Sequence, residues 1–440
     1  MMKNIKSILK IAVILTFVIS INLHGEEPLT LKKAIEITLE NNYGIKLARE
    51  NIEQLDINAN AGNAGMLPIV DVGASYQKAF GNFDTHAYSG QSIHEKGSNS
   101  NMSDLWINLN WTIFDGLRMF AEYDRLEKIK ETGEQILKIE MDQAISDLII
   151  AYSSIIMEKA KLDVLKERYS LSGFRYGIAK SSYEVGKSPE IEMLQAEVEM
   201  RSDSSAIIAQ SSKYMNAIDE INGIMGGTTY EEISDQLTLS DIIGLRDLES
   251  KSLESNNRLL LERQLVRVKE IEVDKSRTDF LPRLDLNAGY YFSEIDAEAA
   301  FIHYNRFLGP KIALTLKYNI FDGFNSLNNN ENAQIELEKQ KISEKEFELQ
   351  IKTVISQFWH QYISYKDLIE YEKQNIKLSE NNLNIAKNAY EVGAISSLDF
   401  RDAQQKHIEI KIRLIEARHF AKYFETKLLM ISGQLMSVSY

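Results

Sequence analysis

An apolar side chain recurs at every seventh position through two long stretches of this chain. The two series are Leu148, Ile155, Leu162, Tyr169, Tyr176 and Tyr183, and Ile355, Tyr362, Ile369, Ile376, Leu383 and Tyr390. A sustained seven-residue spacing places these side chains along one seam of a supercoiled helix. The chain has 5 prolines in 440 residues, so very long helices are possible. We therefore expect a helix over residues 117–183, about 100 Å long at 1.5 Å per residue, and a matching helix that ends near residue 390.

A second helix is predicted after each long one. In the second copy, two apolar series interleave in a 4-3 pattern, and His407 belongs to one of them together with Leu414, Ala421 and Leu428. This pattern is typical of a helix packed along a coiled-coil seam. We interpret His407 as a partly buried seam residue and not as a metal ligand.

Four further segments alternate apolar and polar residues with a period of two, which predicts β-strands at 67–77, 104–114, 281–292 and 311–321. Their length of roughly ten residues suits tilted strands of an outer-membrane barrel. A half-buried soluble sheet fits the alternation equally well. Four strands are too few to close a barrel, and an open sheet edge cannot face lipid. If the strands span a membrane, the chain must oligomerise.

The chain is written twice. IAKSSYEVG ends at Gly186 and IAKNAYEVG ends at Gly393, and the same offset of 207 superimposes the two IFDG segments at 113–116 and 320–323. Further upstream, LP at 67–68 matches LP at 281–282. Such regularity indicates an internal duplication. We expect a first repeat at 26–225, a short insert at 226–245 and a second repeat at 246–440.

Each repeated YEVG segment lies between a long predicted helix and a second one. Gly186 and Gly393 can adopt the left-handed conformation that ends a helix. The next helix then restarts on an N-cap, at Ser188–Pro189 in the first copy, with the proline in the first turn, and at Ser396–Ser397 in the second.

The N-terminal residues and the composition indicate that the protein is exported. The first 25 residues carry three lysines and an apolar run over 11–21, which is typical of a secretory signal peptide. Without that segment the chain has 47 basic and 64 acidic residues, a net charge of −17, so nucleic acid is not an expected partner. The chain has no cysteine, so the exported protein depends on packing and association for its stability.

The sequence contains no recognisable catalytic, phosphate-binding or metal-binding motif. The seven histidines are scattered and no phosphate-binding glycine loop precedes a helix, so we predict no enzyme, no cofactor and no metal. One group, Asp84, His86, His94 and Glu95, could bind a metal ion. It falls in a segment rich in glycine, serine and asparagine at 78–103, and a solvent-exposed polar loop is the preferred interpretation.

The order of motifs resembles the TolC-like outer-membrane efflux proteins. The resemblance rests on LTLKKAIEITLENN at 29–42, the paired LP and FDG segments, and YEVG followed by AE at 196–197 or AQ at 403–404. The resemblance implies a homotrimer in the outer membrane, in which each protomer lends four strands to a twelve-stranded barrel and long helices to a periplasmic tunnel. It also implies a passive exit duct of a tripartite efflux or type I secretion system, with a periplasmic adaptor protein and an inner-membrane transporter as partners.

The resemblance implies that the two YEVG segments are the tips of helix hairpins, near 183–189 and 390–397, at the periplasmic end of the tunnel, and it assigns roles to residues there. Tyr390 falls on a tyrosine that helps to hold the entrance shut, and Asp399 and Asp402 fall on two aspartates that form rings at the constriction. Such rings select cations, and mutual repulsion would raise their pKa values. The tip residues expected to contact the adaptor are Tyr183, Gly186, Ser188, Gly393, Ser396 and Ser397.

Without the resemblance, Asp399 would be interpreted as a first-turn residue that interacts with the helix dipole, and Asp402 as part of a solvated face. Ile395 also stands where better-known members have an arginine, and the first tip carries Glu192 and Gln195 in place of the aspartates. The two hairpins are therefore expected to be unequal at the gate. A trimeric coiled-coil surface protein without a channel is the alternative function, although a stalk has no use for paired strand hairpins.

Overall fold

The computed structural model describes residues 28–86, 88–234, 238–240 and 242–437. The predicted signal peptide, residues 1–25, lies outside the described residues. The chain divides into two compact units, one made of 1–45, 142–245 and 355–440 and the other of 46–141 and 246–354. Each unit thus combines segments of both halves of the sequence.

Eight α-helices lie in the described residues, and their lengths repeat. The helices are α1 (Leu31–Asn41), α2 (Tyr43–Asn58), α3 (Arg118–Glu184), α4 (Glu190–Ile224), α5 (Leu245–Ser255), α6 (Asn257–Arg277), α7 (Asn325–Glu391) and α8 (Ser397–Ile431). Helices α3 and α7 each have 67 residues, and α4 and α8 each have 35. Within the described ranges, no helix is both long and apolar enough to cross a membrane. We call α3 with α4 the first hairpin and α7 with α8 the second hairpin.

The predicted seam is confirmed along α7. Ile355, Tyr362, Ile369, Leu383 and Tyr390 are buried, and Ile376 packs against the buried cluster formed by Ile369 and residues of α8. These side chains are the apolar contact of the second hairpin, as a seven-residue repeat requires.

The same prediction holds for only half of α3. Leu148, Ile155 and Leu162 are buried, whereas Tyr169 and Tyr183 are each 39% exposed. Beyond residue 164 the buried positions of α3 are Ser172, Arg175 and Ala179. The physical reason is that polar side chains, not tyrosines, fill the contact between the hairpins in this region, as described below.

The four predicted strands form one antiparallel sheet in the order β1 (Ile69–His86), β2 (Ser92–Phe114), β3 (Arg283–Ala297) and β4 (Tyr304–Lys317). In the first pair the strands are longer than predicted, because β1 and β2 continue through most of the segment 78–103 that was expected to be a loop. Backbone pairing does not require apolar side chains, so the ladder extends beyond the apolar alternation. In the second pair, β4 begins seven residues earlier than expected and ends at Lys317.

The sheet has one apolar and one polar face, and the apolar face is uncovered. Val72, Ile107 and Ile312 are 81%, 52% and 76% exposed, and the register aligns apolar residues across all four strands, as in Val70↔Leu109↔Ala288↔Ile312. A half-buried soluble sheet would pack this face against a core. The structure contradicts that interpretation for the described residues.

The opposite face carries a network of polar side chains. Trp106 Nε1 and Asn110 Nδ2 donate to the two carboxylate oxygens of Asp71 at 3.2 and 2.9 Å. Tyr291 Oη donates to Asn108 Oδ1 at 2.8 Å. A polar inner surface of this kind is typical of a water-filled barrel.

The two FDG segments end the strands in the same way. Asp115 Oδ1 accepts from the amide of Met119 at 3.2 Å, and Asp322 Oδ2 accepts from the amide of Ser326 at 2.9 Å, so each aspartate caps the helix that follows it. Gly116 has φ 72°, and a Cβ there would lie 2.7 Å from Leu281 Cβ. The turn therefore requires glycine.

Candidate gate at the helix-hairpin tips

The two YEVG segments form the same backbone turn. Gly186 and Gly393 have φ values of 72° and 74°. The amide of Gly186 donates to the carbonyl of Tyr183 at 2.8 Å, and the amide of Gly393 donates to the carbonyl of Tyr390 at 3.0 Å. Each turn thus satisfies the free carbonyls at the end of a long helix with a left-handed glycine. Both tips belong to the first of the two compact units.

The first hairpin restarts without a side-chain cap, contrary to expectation. Helix α4 begins at Glu190, and Pro189 occupies the N-cap position with φ −70° and ψ 152°. The hydroxyl of Ser188 has no hydrogen-bond partner. Proline fits the required backbone conformation but offers no acceptor, so Ser188 lies one residue too early to cap the helix.

The second hairpin restarts on a complete capping box. The amide of Asp399 donates to Ser396 Oγ at 3.2 Å, while the amide and hydroxyl of Ser396 donate to Asp399 Oδ2 at 3.1 and 2.7 Å. The hydrogen bond from the Ser396 side chain, followed by that from its backbone, lowers the pKa of Asp399. Within one protomer, Asp399 is therefore a capping residue that stays ionised.

Asp402 lies one turn further along the same face of α8. Its Oδ2 accepts from Lys406 Nζ at 2.7 Å, and both side chains are more than 60% exposed. The hydrogen bond to Asp402 raises the pKa of Lys406. The two aspartates thus share an exposed helix face, but a lysine partly neutralises Asp402, whereas Asp399 has serine as its partner.

Tyr390 is buried against Phe400, the residue that follows Asp399. Its ring stacks on Phe400 with centroids 5.2 Å apart and an interplanar angle of 9°. Phe174 of the first hairpin meets Phe400 edge-on at 6.1 Å. Ile395, which replaces the expected arginine, packs against this cluster. The second tip is therefore held to the first hairpin by an aromatic and aliphatic contact.

The equivalent tyrosine of the first hairpin behaves differently. Tyr183 is 39% exposed, whereas Tyr390 is 8% exposed. At the offset of 207, Met193 occupies the position that Phe400 has in the second copy. The two tips are thus unequal in packing as well as in charge.

An ion bridge that the sequence did not reveal joins the two hairpins above the tips. Glu199 of α4 binds Arg175 of α3, whose side chain is 3% exposed, and accepts from Arg401 Nη1 of α8 at 2.8 Å. Burial alone would raise the pKa of Glu199, but the hydrogen bond from Arg401 and the charge of Arg175 outweigh it and lower the pKa. We call these three residues the inter-hairpin ion bridge.

Further buried polar contacts surround the ion bridge. Ser172 Oγ donates to Asp203 Oδ2 at 2.6 Å, and Gln404 Nε2 of the second hairpin donates to Ser172 Oγ and to the carbonyl of Arg168, both at 3.0 Å. These residues line a cleft of about 520 Å³. No periodicity in the sequence could identify them, because Glu199 and Arg401 are 202 residues apart and arginine is the residue least expected at a buried position.

The comparisons with known proteins agree with this architecture. A model described as outer membrane efflux protein matches residues 34–227 and 248–433. The chain belongs to this family. The family match covers both halves of the duplicated sequence, including the two tips. The comparison with curated proteins gave no match.

Several solved outer-membrane channels share the fold of this family member. The Campylobacter jejuni CmeC outer membrane channel has 18% sequence identity and a TM-score of 0.75 over 92% of this chain and 86% of that chain. The outer membrane protein VceC from Vibrio cholerae has 15% identity and a TM-score of 0.74, over 92% and 96%. The open state of the Neisseria gonorrhoeae MtrE outer membrane channel has 12% identity and a TM-score of 0.72, over 92% and 89%. At such identities the likeness concerns the fold.

Proposed function

We propose that this protein is a passive outer-membrane exit duct of a tripartite efflux or type I secretion system. The observation that carries the proposal is the four-stranded sheet, whose apolar face is exposed and whose edge strands β1 and β4 each pair on one side. Lipid can cover such an apolar face, but it cannot form hydrogen bonds with the unpaired backbone N–H and C=O groups of the edge strands. Further strands must therefore come from other copies of the chain.

The family resemblance implies an assembly of three copies. A trimer contributes twelve strands, and each edge strand β1 then pairs with β4 of a neighbouring copy, so that no edge faces lipid. The polar network around Asp71 and Asn108 lines the inside. The long hairpins continue the duct into the periplasm, where the exposed tips at residues 183–189 and 390–397 meet an adaptor protein and an inner-membrane transporter.

The second tip is the proposed gate. Three-fold symmetry brings Asp399 and Asp402 of each copy to one aperture, where six carboxylates favour cations. Because Lys406 partly neutralises Asp402, Asp399 carries the larger share of this selectivity. Tyr390 stacks on Phe400 within the second hairpin. The edge-on contact of Phe400 with Phe174 of the first hairpin, together with the inter-hairpin ion bridge, holds the two hairpins against each other in the closed state.

Ion selectivity in planar bilayers tests this assignment. We expect Asp399→Asn to reduce the preference for potassium over chloride, measured as a reversal potential in a salt gradient, more than Asp402→Asn does. Asparagine can still accept the hydrogen bonds from Ser396, so the capping box is largely kept. Ser396→Ala is the matched control, because it weakens the cap and leaves the charge. Unchanged selectivity in the Asp399→Asn, Asp402→Asn double variant would contradict the carboxylate gate.

The alternative is a trimeric coiled-coil surface protein without a channel. It uses the same helices as a stalk but gives no role to the polar inner face of the sheet. Purified trimers that never conduct would favour this alternative.

A further inference from the structure

Two histidines stand side by side at the end of the β1–β2 hairpin. In the antiparallel register Asp84 pairs with His94 and His86 pairs with Ser92, so all four side chains lie on one face of the hairpin. The rings of His86 and His94 are diagonal neighbours, with centroids 5.5 Å apart and an interplanar angle of 73°. The strands β1 and β2 thus occupy most of the segment that was predicted to be a solvent-exposed polar loop.

Each ring makes its hydrogen bond through its own Nδ1 atom. His94 Nδ1 lies 2.6 Å from Asp84 Oδ1, and His86 Nδ1 lies 2.7 Å from Ser92 Oγ. A carboxylate at Nδ1 fixes the tautomer in which Nδ1 carries the proton and Nε2 carries a lone pair. The serine hydroxyl can accept from His86 in the same way. Histidines that bind metals almost always donate their other ring N–H to such a partner.

The separation of the rings also fits one shared ion. Two imidazoles that bind one zinc ion tetrahedrally, with Zn–N bonds of about 2.0–2.1 Å, have ring centres roughly 5 Å apart. The observed 5.5 Å is close to this separation, and both side chains are exposed. The Nε2 atoms make no hydrogen bond in the described part of the chain, so no existing contact must be broken.

We propose that His86 and His94 bind a divalent transition-metal ion through their Nε2 atoms, with Asp84 and Ser92 as positioning residues. Imidazole selects zinc, copper and nickel over magnesium and calcium. Glu95 pairs with Phe83 on the alternate face and is not a ligand. In the described ranges, no group of three or more His, Asp or Glu side chains is arranged to hold a metal, so water completes the coordination. The site goes beyond the proposed duct function and does not depend on it.

Metal titration of the full-length protein in detergent tests the proposal. With zinc and a competing chromophoric chelator, we expect the wild-type protein to bind about one more ion per protomer than the His86→Ala, His94→Ala double variant. With copper, electron paramagnetic resonance should report two imidazole nitrogens in the wild type and one in either single variant. His360→Ala, which removes an exposed histidine of α7, is the matched control and should bind as the wild type does.

The role of Asp84 has its own readout. Loss of an outer partner typically lowers metal affinity 10- to 100-fold without removing a ligand. Asp84→Asn should therefore weaken zinc binding by about that factor while the copper spectrum still shows two nitrogens. Equal zinc stoichiometry in the wild type and the double histidine variant would overturn the site. A full loss of one nitrogen in Asp84→Asn would overturn the assignment of Asp84 as a positioning residue.

Discussion

Removing the charge of Glu199 should loosen the proposed gate. Glu199→Gln keeps the size of the side chain but takes the carboxylate away from Arg175 and Arg401 at once. We propose that α8 moves away from α4 when the gate opens, so that the contact between Glu199 and Arg401 is broken as the aperture widens. The pair of Glu199 with Arg175 lies within the first hairpin and is lost in both states, so only the lost contact with Arg401 shifts the balance towards the open state.

The magnitude follows from the exposure of the two side chains in the contact that gating breaks. Arg401 and Glu199 are 47% and 34% exposed, so water screens the contact, and an ion pair of this kind contributes about 0.2–1 kcal/mol. At 1.4 kcal/mol per factor of ten, the closed-to-open ratio should fall roughly 1.4- to 5-fold for each such contact.

Single-channel recording in planar bilayers measures this ratio as the open fraction. Glu197→Gln is the matched control, because Glu197 lies on the same helix and pairs with the exposed Arg201 on α4 itself. We expect Glu199→Gln to increase the open fraction and Glu197→Gln to leave it unchanged. Equal open fractions in the two variants would refute the reasoning that the inter-hairpin ion bridge stabilises the closed state.

Two more predictions use differences between the repeats. Tyr390→Ala should lower the free energy of unfolding by about 3–5 kcal/mol, because its ring is buried against Phe400. Tyr183→Ala should lower it by less than about 1 kcal/mol. Urea unfolding of the detergent-solubilised protein compares the two variants, and equal losses would contradict the asymmetry of the tips. Ser396→Ala should cost about 1 kcal/mol through the lost cap, whereas Ser188→Ala should be neutral. The lowered pKa of Asp399 means that its stabilising bonds with Ser396 are fully present above the ordinary aspartate pKa of 3.8 and are lost as the pH falls through the lower folded value. The thermal midpoint of the wild type should thus fall more between pH 5 and pH 3 than that of Ser396→Ala, and parallel curves would speak against the cap.

Much of the architecture could be predicted because it depends on periodic patterns. The seven-residue spacing predicts α3 and α7, the glycines predict their ends, and the duplication predicts that the two halves share one order of elements. The alternating segments predict all four strands. These features depend on local backbone preference and on which face of an element is apolar, and both can be recognised along the sequence.

The misses share a different cause. The lower half of α3 buries Ser172 and Arg175 instead of its tyrosines, because partners on distant helices satisfy their polar groups. The ends of β1 and β2 are held by backbone pairing in which most residues are polar or small, so the sequence there shows no regular apolar alternation. The aspartates at the second tip were identified through the resemblance, but the capping role of Asp399 became clear only from its bonds with Ser396.

The central claim is that copies of this chain form a conducting duct, and electrical recording tests it most directly. Purified wild-type protein, shown to be trimeric by mass measurement in detergent, is added to a planar lipid bilayer in a potassium chloride gradient. The account predicts discrete, cation-selective conductance steps. Trimers that insert into the bilayer and carry no current, under conditions in which Glu199→Gln also stays silent, would contradict it.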